Sequence, residues 1–137
     1  MNKYFQECIN GLGDNTKVLS PKESDNLIDK MQATFEFEMN GLNSKSDNVV
    51  KSSIDMLRKN MDFNQSCFVL WDEYSLPVVS TQLDKVMCNF VDVTSVSFDT
   101  WVVGTNFDWI IEFNHEDVVL FSTLKLNKGL FILDINS

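Results

Sequence analysis

The sequence predicts an α+β fold in which N-terminal helices pack on a mostly antiparallel sheet, a β-meander of four to five strands. Two observations support this prediction. Apolar residues in the first sixty positions recur at helical spacing, whereas residues 96–122 are rich in aromatic and β-branched side chains and are interrupted by two turn-like segments. We therefore expect one domain over residues 1–137, with a helical part at about 1–62 and a sheet-rich part at about 63–137.

Three helices are predicted in the helical part. The first spans residues 3–12. The second starts at Ser20, whose hydroxyl can cap the helix while Glu23 completes a capping box, and it ends near Gly41. The third starts near Ser44 and turns four regularly spaced apolar residues toward the core, namely Val50, Ile54, Leu57 and Met61.

The sheet-rich part begins with an apolar strand at 67–71, and a helix near 81–92 follows, with Thr81 and Asp84 as its capping pair. Further strands are predicted at 96–103, 107–113, 118–121 and 130–135. Alternation in the strand 107–113 places Phe107, Trp109, Ile111 and Phe113 on a core face, and Asp108, Ile110 and Glu112 on the other. We expect this second face to be solvated, with Trp101 exposed beside Asp99 on the neighbouring strand.

The charge is strongly negative and uneven. The chain has 20 acidic and 11 basic residues, a net charge of −9. Residues 61–137 contain eleven acids and three bases, which gives −8 for this half alone. Such a field repels nucleic acid and anionic membranes and attracts basic surfaces, so we predict neither a nucleic-acid partner nor a membrane partner.

Several features predict a cytoplasmic location. No apolar run approaches the roughly 18 to 20 residues that a membrane span needs. The first residues include Glu7 and lack the apolar segment of a secretory signal. The cysteines Cys8, Cys67 and Cys88 are widely spaced in apolar segments, and we expect them to be buried and reduced.

Enzyme motifs are missing from the sequence, and we predict neither catalysis nor a cofactor. It contains no G-x-S-x-G, P-loop or G-x-G-x-x-G motif. His115 is the only histidine, and without a second one or a C-x-x-C pair a metal site is not expected. Asp108 and Glu112 would lie about 13 Å apart along a strand, too far for a glycosidase pair. One enzymatic alternative remains, a small hydrolase that uses His115 with Glu112 or Asp117.

Acidic residues next to aromatic ones point instead to binding of a basic protein, because Trp and Tyr are enriched at binding hot spots. The candidate partner-binding residues are Asp72, Glu73, Tyr74, Asp99, Trp101, Asp108, Glu112, Glu116 and Asp117.

This plan, with leading helices and a Trp-rich meander that contains D-W-I-I-E-F-N-H-E, resembles the immunity proteins of bacterial contact-dependent growth inhibition and related polymorphic toxin systems. The resemblance covers the overall plan and residues 101–122. It implies a protein that binds a cognate toxin domain, often a nuclease, and blocks it, as a monomer within a heterodimer. A nuclease needs a basic cleft, which an acidic protein can occupy. The alternative is a small structural or adaptor protein of a bacterial or phage assembly.

Overall fold

The computed structural model describes residues 2–123, and its main feature is an antiparallel sheet covered on both faces. Within these residues the helices are α1 (Lys3–Leu12), α2 (Pro21–Thr34), α3 (Ile54–Asn60), α4 (Leu83–Cys88) and α5 (Phe90–Thr94). The strands are β1 (Lys17–Val18), β2 (Phe37–Glu38), β3 (Gly41–Leu42), β4 (Val49–Ser52), β5 (Ser66–Trp71), β6 (Val79–Gln82), β7 (Thr100–Gly104), β8 (Trp109–Phe113) and β9 (Val119–Thr123).

Seven of these strands form one sheet in the order β1-β6-β5-β7-β8-β9-β4, and β2 pairs with β3 in a separate hairpin. Every pairing within residues 2–123 is antiparallel. The α+β class is therefore confirmed, although the sheet has more strands than the four to five predicted. The predicted strand at 130–135 lies outside the described residues.

The two faces of the sheet carry separate cores. On the first face, side chains of α1, α3, α4 and α5 pack against alternate strand residues, which include Val69, Val102, Ile111 and Phe121. On the second face, α2 and the β2–β3 hairpin cover the intervening residues, which include Leu70, Val103, Ile110 and Leu120. The molecule thus has three layers. None of the helices within residues 2–123 is long and apolar enough to cross a membrane.

The predicted start of the second helix is confirmed. The Ser20 hydroxyl accepts a hydrogen bond from the Glu23 backbone N–H at 3.1 Å, and the Glu23 carboxylate accepts from the Ser20 N–H at 3.2 Å. Pro21 occupies the first turn, where its missing N–H costs nothing. The predicted end near Gly41 is wrong, because α2 stops at Thr34 and the chain turns into the β2–β3 hairpin.

The third helix is shorter than predicted. It begins at Ile54 with Ser53 as its cap, because Val50 belongs to β4 and pairs with Phe121 in β9. The four apolar residues of the predicted seam nevertheless pack on the same first-face core. A helix prediction from spacing alone missed the strand, because the pairing partner lies 71 residues further along the chain.

The helix predicted near 81–92 is divided into α4 and α5 at Asn89. Thr81 does not cap it, since this residue lies in β6 and its hydroxyl is 2.8 Å from that of Thr16. Cys88 is exposed, which corrects its predicted burial, whereas Cys8 and Cys67 are buried as expected. Burial raises the pKa of both buried thiols to about 12, so they remain protonated at neutral pH.

The solvated face predicted for the meander is wrong. Trp109, Ile111 and Phe113 do share the first-face core, but Phe107 joins the core of the second face. On that second face Ile110 is fully buried and Glu112 is only 3% exposed. The physical reason is the layer formed by α2 and the β2–β3 hairpin, which takes the place of water over the sheet.

Candidate partner-binding groove

A groove of about 920 Å³ opens on the second face of the sheet. Its floor is formed by β7 and β8, one wall by α2 and the β2–β3 hairpin, and its rim by the loops around residues 72–74 and 114–116. Six of the nine predicted binding residues line it, namely Asp72, Tyr74, Asp99, Trp101, Glu112 and Glu116.

The floor of the groove is organised by the Glu112 carboxylate. Its Oε1 accepts hydrogen bonds from the Trp101 indole N–H and from the Leu42 backbone N–H, both at 2.8 Å. Its Oε2 accepts a longer bond of 3.4 Å from the Asn114 side chain. Buried carboxylates need such donors to replace water, and here one donor comes from the sheet and another from the hairpin. Glu112 thereby holds the hairpin on the sheet.

Gly41 makes this contact possible. Its φ of +144° is a conformation that L side chains rarely adopt, and a Cβ at this position would lie 2.3 Å from Glu112 Oε1. Next to it, Phe37 packs edge-on against Trp101 with ring centroids 5.8 Å apart. Trp101 is only 8% exposed, which corrects its predicted exposure, because the hairpin covers its ring.

A family model for the "CdiI immunity protein EcoliA0-like" family matches residues 2–122. That match includes every element that builds the groove. The chain belongs to this family. Its resemblance to contact-dependent inhibition immunity proteins is thus confirmed, and the family supports a general role in neutralising a toxin. No curated protein matches the sequence.

At one end of the groove of this immunity protein, His115 is held by Asp99. The Asp99 Oδ1 accepts hydrogen bonds from the His115 backbone N–H at 3.0 Å and pairs with its ring Nδ1 at 2.9 Å. The hydrogen bond and charge of Asp99 raise the pKa of His115, with a smaller contribution from Glu116. The acidic partner of the histidine is therefore Asp99, and not Glu112 or Asp117 as in the hydrolase alternative.

The carboxylates of the groove differ in exposure. Asp99 is 7% exposed and Glu112 is 3% exposed, so these two lie on the floor and do not form the solvated acidic face that was predicted. Asp72 and Glu116 are exposed on the rim. Within residues 2–123, no group of three or more His, Cys, Asp or Glu side chains is placed to hold a metal ion.

Three predicted binding residues, Glu73, Asp108 and Asp117, are exposed but do not line the groove. Residues of the hairpin, among them Glu38 and Met39, were not predicted to line a site, because residues 35–41 have a pattern that also fits the end of a helix. Asn40 and Gly41 were a usable signal, since both residue types are typical of turns as well as of helix ends, and the hairpin turns at residues 39–40.

Large apolar side chains surround the mouth of the groove. Met39 is 95% exposed and Tyr74 is 90% exposed, and both line it. Phe98 is 78% exposed and packs edge-on against the His115 ring, with centroids 6.4 Å apart. Exposed apolar groups gathered around a cleft are typical of protein interaction sites.

Proposed function

We propose that this immunity protein neutralises a nuclease toxin in the cytoplasm by covering a basic surface of the toxin with the groove and its rim. One immunity protein would bind one toxin domain. The toxin-neutralising role follows from the family, while the nuclease target and the acidic interface are the proposal.

The observation that carries the proposal is the imbalance of charge around the groove. Its acidic lining residues are Glu38, Asp72, Asp99, Glu112 and Glu116. Among the described residues that line it, the basic side chains are Lys51 and His115, and the His115 ring is paired with Asp99, so acids still outnumber bases. A cleft that binds a nucleic-acid backbone is basic, so the two surfaces would attract each other.

The exposed apolar side chains supply the second requirement of a tight interface. Charge steers two proteins together, but most of the affinity comes from a few well-packed side chains that lose water on binding. Tyr74 and Met39 stand at the mouth of the groove and are almost fully exposed. A partner that covers them buries apolar surface next to the acidic rim.

The test uses the purified cognate toxin domain. We expect its association rate with the immunity protein to fall at least about tenfold between low and high salt, because steering is screened. Reversing two exposed groove acids, Glu38→Lys with Glu116→Lys, should slow association at low salt and weaken protection of nucleic acid from the toxin.

The control reverses the same number of charges elsewhere. Glu7 and Asp55 are exposed on α1 and α3, which cover the first face of the sheet. The variant Glu7→Lys with Asp55→Lys has the same net charge as the groove variant. If both double variants slow association equally, net charge acts without the groove and the proposed interface is wrong. A toxin without nuclease activity would contradict the proposed target.

A further inference from the structure

Glu112 is a buried carboxylate without a cationic partner. Within residues 2–123, no Lys, Arg or His nitrogen lies within the 4.0 Å that defines an ion pair with it. Its three donors are neutral groups from Leu42, Trp101 and Asn114. A buried charge with neutral donors alone is stabilised less than one that also has an opposite charge. Glu112 lines the groove, so a cationic side chain of a partner could approach it from there.

The two carboxylate oxygens of Glu112 are used unequally. Oε1 accepts both short bonds of 2.8 Å, which are the bonds that hold the hairpin. Oε2 accepts only the 3.4 Å bond from Asn114. Oε2 therefore keeps acceptor capacity that the bonds holding the hairpin do not use.

Asp99 lies on the same face of the sheet. Trp101 is directly opposite Glu112 in the register of β7 and β8, and Asp99 precedes Trp101 by two residues. Both bonds from His115 go to Oδ1 of Asp99. Asp99, Trp101 and Glu112 all line the groove, so it presents two buried carboxylates next to an aromatic ring.

We propose that this part of the groove binds the guanidinium of an arginine side chain of the toxin, paired with Glu112 and Asp99. A guanidinium has five donors in a planar fork, whereas an ammonium is a compact, strongly hydrated charge. Two carboxylates that line one groove suit the planar group, whose fork of N–H donors can pair with both. That the arginine belongs to the toxin rests on the proposed function, whereas the presence of a guanidinium site does not.

The site can be tested without the toxin, by titrating N-acetyl-L-arginine amide into the protein and following N–H signals by NMR. We expect saturable shifts of the Trp101 indole and Leu42 amide, with a dissociation constant on the order of millimolar because the probe supplies one side chain. The indole of Trp109 is the internal control, since it bonds to Gln65, belongs to the first-face core and does not line the groove.

Two comparisons decide the outcome. N-acetyl-L-lysine amide should bind at least about fivefold more weakly to the unchanged protein, a test that needs no variant. Glu112→Gln keeps an oxygen acceptor for Trp101 and Leu42 but removes the charge, so the arginine response should disappear. Asp108→Asn, which changes an exposed acid outside the groove lining, should respond like the parent protein. Equal binding of both amides, or an arginine response that Glu112→Gln retains, would overturn the proposal.

The same variants separate this inference from the proposed function. If Glu112→Gln affects neither the arginine response nor toxin affinity while reversal of Glu38 and Glu116 weakens toxin binding, the arginine site is wrong and the acidic interface stands. Suppose instead that Glu112→Gln abolishes the arginine response, but neither Glu112→Gln nor the reversal of Glu38 and Glu116 affects toxin binding. The cation site then stands and the proposed interface is wrong. We expect Glu112→Gln to lower toxin affinity at least about tenfold.

Discussion

Trp101 donates its indole N–H to Glu112 at 2.8 Å, and the two residues are directly opposite each other in the register of β7 and β8. This cross-strand bond connects an aromatic ring to a carboxylate on the covered face of the sheet. The same carboxylate oxygen accepts the Leu42 N–H. One acceptor therefore joins the two central strands to the hairpin that forms a wall of the groove.

Replacing Trp101 with phenylalanine should destabilise the protein by about 1–3 kcal/mol, because a buried carboxylate loses a donor. Urea unfolding measures the change in the free energy of unfolding. Trp109→Phe is the matched control: its indole N–H donates at 3.1 Å to the uncharged Gln65 side chain. We expect the smaller loss there, and the opposite order would contradict the role given to Glu112.

Gly41→Ala should loosen the hairpin. The positive φ alone costs about 1–3 kcal/mol for a residue with a Cβ, and the collision with Glu112 adds to that cost. Gly13→Ala separates the two effects, because Gly13 also has a positive φ of 71° but a Cβ there has nothing within 4 Å. Thermal or urea unfolding should show the larger loss of stability for Gly41→Ala. Equal losses would mean that Glu112 moves away from the new Cβ at little cost in free energy.

Ile110 and Ile111 point to opposite faces of β8, and both are fully buried. Alanine at either position should cost about 2–5 kcal/mol, because each change leaves a cavity in one of the two cores. The free energy of unfolding of each variant checks this. A loss well under 1 kcal/mol for Ile110→Ala alone would show that the second face is open to water, as alternation along the strand predicts.

His115 should titrate above its ordinary pKa of 6.5, because Asp99 stabilises the protonated ring. Since the pKa is raised in the folded state, the stabilisation is fully present below the unfolded pKa. It is lost as the pH rises through the folded pKa. NMR titration of this single histidine measures the value directly.

Two variants separate the causes of that raised pKa. Asp99→Asn should bring the pKa of His115 back toward its ordinary value, whereas Glu116→Gln should shift it less, because Asp99 is the larger cause. A folded-state pKa at or below the ordinary value in the unchanged protein would contradict the interaction. Such a value would mean that Asp99 and His115 are not in contact in solution.

Local patterns predicted local structure well. Ser20, Pro21 and Glu23 define a helix start whose bonds all lie within four residues, so neighbouring residues were sufficient to predict it. Alternation likewise placed Trp109, Ile111 and Phe113 on one face. Periodicity failed at Val50, where β4 pairs with a strand that lies far away in the sequence.

The lining of the groove could be anticipated only in part from the sequence, because it too depends on contacts between distant segments. Proximity in sequence and acid–aromatic composition identified six residues that do meet in the groove. They could not show that Asp99 and Glu112 are buried while Asp72 and Glu116 are exposed. Burial depends on which element covers the sheet, and the covering hairpin was assigned to a helix.

The sequence by itself determined the α+β class, the acidic charge, the helix start at Ser20 and the resemblance to immunity proteins, because these depend on composition and short-range pattern. Only the tertiary structure decided what each face of the central strands meets. Alternation separates two faces but does not say whether water or protein covers the second one. Here α2 and the hairpin cover it, and Glu112 becomes a buried anchor on the floor of a groove.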